Sequence, residues 1–205
     1  VAIPAPLLGC DYEIGTFGSP SFFYKHFEGD LDLARSAGPF VYDVVNDHFA
    51  GKLATHYQTM CGWAERITVS SPYMAGVVKT YTGMDATVID DPYENAEREP
   101  HCDGREVLWF GHAANIPSLF AAVDKIADMA IVLTICTNYK HGSALEWSPE
   151  TERRSLDRAA VVLVTGNNPG ASANRIVKAL RAGRFVVTPG GVPAWDEYKD
   201  FIWIG

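Results

Sequence analysis

Cysteine is sparse in this chain, positive charge is outnumbered, and no apolar run is long; each shortage removes a class of protein. Of 205 residues four are cysteine, Cys10, Cys61, Cys102 and Cys136, far apart and without a CxxC pair. That spacing speaks against a disulfide framework and against a zinc site. Cys61 and Cys136 lie in apolar surroundings and read as buried free thiols, which suits a reducing cytoplasm. Lys and Arg number 17 against 25 Asp and Glu, a formal charge of −8. A protein that grips a nucleic-acid backbone needs the opposite balance to displace counterions, so no nucleic-acid partner is expected. A small anion remains possible, because one Arg and a helix amino end bind phosphate inside an acidic protein. No stretch approaches the ~20 apolar residues of a membrane span, and the opening residues do not read as a basic-then-apolar leader.

What is present is ample core material. The chain is 47% apolar, 12% aromatic and 20% charged, the balance of a packed soluble protein, and its length allows one large domain or two small ones. It opens on Val1-Ala2-Ile3 and stops at Ile204-Gly205 just after an apolar run, so both ends read as truncated.

Short β-branched or aromatic runs alternate with longer amphipathic stretches, the pattern of βαβ units and a parallel sheet. In the first half, residues 39–45, 66–70 and 86–89 read as strands. Helices are expected over 30–37, 49–63 and 72–81, the last starting on Ser71 with Pro72 in its first turn. The opening thirty residues, with Gly9, Gly15, Gly18 and Pro20, read as a loop. Residues 90–106 hold seven acidic and two basic residues, two prolines and a glycine, and mark a solvated connector. The expected division is an N-terminal unit over 1–91, a linker over 92–105 and a C-terminal unit over 106–205. In the last of these, strands are expected at 107–111, 130–136, 160–165, 185–188 and 201–204. Helices are expected over 117–127, from Ser148 to Arg158, and from Ser172 to a closing Gly183.

In open parallel sheets ligands bind beyond the carboxyl ends of the strands. The polar segments at those ends are Gly111 to Asn115, Thr137-Asn138-Tyr139, Gly166 to Gly170 with Asn167, Pro189-Gly190-Gly191 and, in the first half, Asn46-Asp47-His48. The sharpest is GNNPGASANRIVKALRAG, residues 166–183. Its helix start, with Ser172, Asn174 and Arg175, joins free backbone N–H groups to a bidentate donor, a phosphate-binding arrangement. The competing reading makes Ser172 a cap and Arg175 a surface residue. Arg in a first turn works against the helix dipole, which favours a partner anion. Asp47 and His48 read either as a carboxylate–imidazole pair that removes a hydroxyl proton or as the cap and first residue of the next helix. Tyr139, Trp147 and Trp195 are more readily packing residues than stacking platforms. His101 and His141 lack carboxylate or Cys partners at ligand spacing, so no metal is expected.

The order of strand, GNNPGASANR, Ala-Leu-x-Ala-Gly, Phe-Val-Val and Pro-Gly-Gly resembles the C-terminal domain of GT-B glycosyltransferases. Residues 107–115 (VLWFGHAAN) are similar to the first strand and loop of that domain, and residues 66–91 to the end of its N-terminal partner. The resemblance implies two Rossmann-like parallel-sheet units facing across a cleft, with a nucleotide-diphosphate sugar as donor and no cofactor or metal. It implies donor contacts at Gly111, His112, Asn115, Asn138, Asn167, Ser172, Asn174 and Arg175. His48 and Asp47 would serve catalysis against an acceptor that is a glycan or a small molecule. The glutamate pair of retaining members is missing: Gly170 and Lys178 stand at its positions. His112 and Asn115 stand where the family has Arg and Lys. The alternatives are a nucleotide-sugar epimerase or hydrolase on the same fold, or a catalytically inactive nucleotide-sugar-binding module.

Overall fold

The structure, a computed structural model, describes residues 21–24, 30–36, 38–91, 96–101, 103–124, 131–138, 142–166 and 168–205. The chain divides into two compact units, Val1–Asp90 with Gly170–Ser172, and Asp91–Pro169 with Ala173–Gly205.

The first unit runs β1 (Ser21–Tyr24), α1 (Asp30–Ser36), β2 (Phe40–Val44), α2 (Ala54–Trp63), β3 (Arg66–Val69), α3 (Pro72–Thr82) and β4 (Thr87–Val88). Its strands are parallel, in the order β1-β2-β3-β4. Strand β1 falls where the glycines suggested loop. Its SFFY run has strong strand preference and pairs with β2 from Ser21↔Phe40 to Tyr24↔Asp43. Along β2, Phe40, Tyr42 and Val44 are buried and meet Tyr57, Met60, Ile67 and Met74 in one core. Helix α2 begins at Ala54, five residues later than the apolar spacing predicts. Asp47 and Gly51 explain the delay, since a side chain that bonds the backbone and a glycine both favour turn over helix. Helix α3 starts as expected: Ser71 accepts the N–H of Met74 at 3.3 Å, Pro72 follows, and Gly83 at φ +73° ends the helix.

The second unit opens on β5 (Glu106–Gly111), a 3-10 turn (Ala113–Asn115) and α4 (Ile116–Val123), followed by β6 (Val132–Thr137) and β7 (Leu145–Glu146). Then come α5 (Pro149–Arg158), β8 (Val161–Leu163), α6 (Asn174–Arg181), β9 (Phe185–Thr188), a 3-10 turn (Pro193–Tyr198) and β10 (Trp203–Ile204). All pairings are parallel, in the order β10-β9-β8-β5-β6-β7. Counted from β5 this is the doubly wound Rossmann order. The chain moves outward from β5 through β6 to β7, returns through α5, and moves outward the other way from β8. Right-handed crossovers therefore send α4 and α6 to opposite faces, and the direction reverses between β5 and β8. Val107, Leu108, Trp109 and Phe110 are all buried, as a strand covered on both faces requires.

Two ends within this unit are secured by local chemistry. Ser148 accepts the N–H of Thr151 at 3.1 Å ahead of Pro149. Gly183, at φ +70°, closes α6, and a Cβ there would fall against the backbone of Glu99, 2.7 Å from its carbonyl carbon. Gly183→Ala is therefore expected to lower stability by more than the ~1 kcal/mol typical of a strained left-handed position alone, as read by urea denaturation. An unchanged midpoint would refute the close approach. Among the described residues no helix is long and apolar enough to cross a membrane. Cys61 and Cys136 are free and buried; burial pushes their thiols up to about 12 and about 11, with Glu152 adding to the rise at Cys136. Cys10 and Cys102 lie outside the described residues.

Candidate functional site

In the second unit the place for a ligand follows from topology: beyond the carboxyl ends of β5 and β8, where the winding reverses. Arg175, the second residue of α6, reaches this place. Its guanidinium donates to the carbonyl of Thr165 at 2.9 Å and to that of Phe110 at 3.4 Å. Phe110 lies near the end of β5 and Thr165 two residues past β8, so one side chain spans both strand ends. Gly111 makes room for it, since a Cβ there would stand 3.1 Å from an Arg175 nitrogen and 3.3 Å from the Trp109 ring. Burial pulls the guanidinium down to about 10, which leaves it charged at neutral pH. Among the described residues its partners are main-chain carbonyls, and no carboxylate lies within ion-pair distance.

Beneath Arg175 runs a polar chain that sequence reasoning missed. The buried Trp109 Nε1 donates to Thr165 Oγ1 at 2.9 Å, and Thr165 Oγ1 lies 2.9 Å from Ser118 Oγ. Ser118 also donates to the carbonyl of Asn115 at 2.7 Å. The available signal was the indole itself, since a buried Trp N–H requires an acceptor. A second signal was Thr165, the polar residue that ends an otherwise apolar run.

The other expected donor contacts divide. Asn138 Oδ1 accepts the N–H of Ala113 at 2.7 Å, which ties the end of β6 to the loop after β5. His112 is exposed, and its Nδ1 accepts the N–H of Ala114 at 3.2 Å, so it caps the 3-10 turn. Asn115 ends that turn and makes no side-chain cap. Asn174 begins α6. Ser172 does not cap it: the cap position is Ala173, without a side-chain bond. Ser172 also groups with the first unit, whereas Asn174 and Arg175 belong to the second. Asn167, Tyr139 and His141 lie outside the described residues. Trp195 is buried, with its ring 2.7 Å from where a Cβ on Gly166 would sit. Trp147 is about half exposed and donates to Glu152 Oε2 at 2.7 Å. Lys178 is buried and donates to Glu152 Oε1 at 3.0 Å, which commits its charge to α5.

In the first unit Asp47 and His48 lie in the loop after β2. Asp47 Oδ1 accepts the N–H of Phe49 at 3.1 Å, so its carboxylate secures this turn rather than the start of α2. The half-buried His48 ring packs on Tyr57 with centroids 5.2 Å apart. Nearby in the strands, Asp43 Oδ1 accepts the Thr68 hydroxyl at 2.6 Å. Among the described residues no group of three or more His, Cys, Asp and Glu is arranged to hold a metal ion.

No protein-family model matches the chain, and no curated protein matches it significantly.

Proposed function

We propose that the second unit binds a nucleoside diphosphate and that the protein transfers a sugar from a nucleotide-diphosphate donor, as GT-B glycosyltransferases do. The observation that carries this reading is the guanidinium of Arg175 held at the β5–β8 reversal with only carbonyl partners among the described residues. A buried charge is costly unless an opposite charge offsets it, and two carbonyl dipoles are a partial substitute. A phosphate at this position would complete the pairing through the fork of the guanidinium. It would also stabilise the leaving diphosphate as negative charge develops on it. On the first unit we assign His48 the proton-accepting role toward the acceptor hydroxyl, with Asp47 securing the turn that carries it.

Lys178 favours a second reading, a nucleotide-sugar-binding module without turnover. It occupies the position of a family glutamate, and it is engaged with Glu152. Calorimetric titration with UDP, GDP, ADP and their sugars tests both. Binding of one nucleoside diphosphate with release of sugar from its donor supports the transferase, and release without any acceptor supports a hydrolase. Binding without release supports the module, and no binding by any of them refutes the nucleotide site.

A further inference from the structure

The acidic connector does not simply project into solvent at its start. Asp91 Oδ2 accepts the N–H of Ala173 at 2.8 Å across 82 positions of sequence. Ala173 is the buried cap position of α6, and no side chain of its own caps the helix. A carboxylate thus takes a main-chain donor at the helix start that also offers Arg175, in its first turn, to a phosphate. Water or the adjacent Ser172 would satisfy an amino end without bringing in a full negative charge; Asp91 brings one.

The geometry points to Asp91 as an internal competitor of the phosphate ligand: its carboxylate holds a donor that the ligand needs, and binding displaces it. This rests on the phosphate site proposed above. Two anions drawn to the same helix start repel each other, so the charge on Asp91 sets the affinity from within the chain. Removing that charge while keeping an acceptor should tighten binding. The expected gain is about 2- to 30-fold, the size of a carboxylate's interaction with a helix amino end.

The test is calorimetric titration of inorganic pyrophosphate and of UDP, GDP and ADP into the parent, Asp91→Asn and Asp91→Ser, with melting curves of each. Two variants guard against one that folds poorly. Tighter binding by a folded variant, cancelled by adding Arg175→Met, is the expected result. Equal or weaker binding by the variants, with a lowered melting temperature, would make Asp91 a plain helix cap and overturn the competitor role while the phosphate site stands. Absence of binding in parent and variants alike would overturn both.

Discussion

Replacing Arg175 by Met is expected to weaken nucleoside diphosphate binding by roughly 10- to 100-fold without lowering the melting temperature of the unliganded protein. The two halves of this result have different causes. Each charge-assisted bond from the guanidinium to a phosphate contributes about 1.5–3 kcal/mol, and Met supplies none. In the unliganded protein the guanidinium is buried, its pKa lowered by desolvation to about 10, and its partners among the described residues are the carbonyls of Phe110 and Thr165. An apolar chain of similar length removes the charge that burial penalises, and such exchanges are often neutral or stabilising. Bound phosphate should reverse the penalty, so ligand at about 100 times its Kd raises the parent's stability by about 2.7 kcal/mol and the variant's by less. Since the cation is the binding form, affinity should also decline as pH climbs past about 10. Calorimetry and thermal melts read both halves. A variant that melts lower but binds as tightly as the parent would make Arg175 a structural tie between strand ends and nothing more.

His48→Phe is expected to reduce sugar transfer by about 10²- to 10⁴-fold, the usual contribution of a general base, with nucleotide affinity held. Phe keeps a ring against Tyr57, where the imidazole packs at 5.2 Å, yet cannot accept a proton. Asp47→Ala is the companion variant. It loses the bond to the Phe49 N–H and should cost about 1 kcal/mol of stability, with turnover reduced only as far as the His48 loop loosens. The measurement is release of nucleoside diphosphate from the bound donor, per folded molecule, with and without acceptor. Full turnover in His48→Phe would sink the assignment.

Much of the second unit is legible in the sequence because local rules act over a few residues. Ser148-Pro149-Glu150 starts a helix, Gly183 ends one, and VLWFG reads as a strand. Where local signals conflicted, the reading failed. An aromatic run among glycines hid β1, and Asp47 with Gly51 delayed α2 although the apolar spacing already suited a helix. Ser172 had the right chemistry for a cap and stood one residue too early, because α6 begins at Asn174 behind Ala173. The candidate site was half legible. Arg175 stands out as a cation in a first turn and Thr165 as the polar end of an apolar run, whereas Ser118 and Asp91 form no pattern of their own.

The sequence by itself determined an acidic α/β chain with parallel-sheet crossovers, helix ends at Ser71, Ser148 and Gly183, and polar loops following apolar strands. Periodicity and turn chemistry are properties of neighbours, so a linear reading reaches them. Only the tertiary structure decided the order β10-β9-β8-β5-β6-β7, and with it the reversal between β5 and β8. Only it brought Arg175 to Phe110, Trp109 to Thr165 and Asp91 to Ala173, pairs 65, 56 and 82 positions apart. The partners of a buried guanidinium, indole or carboxylate are whatever polar groups the packed strands bring within about 3 Å, and that depends on strand order rather than on any local pattern.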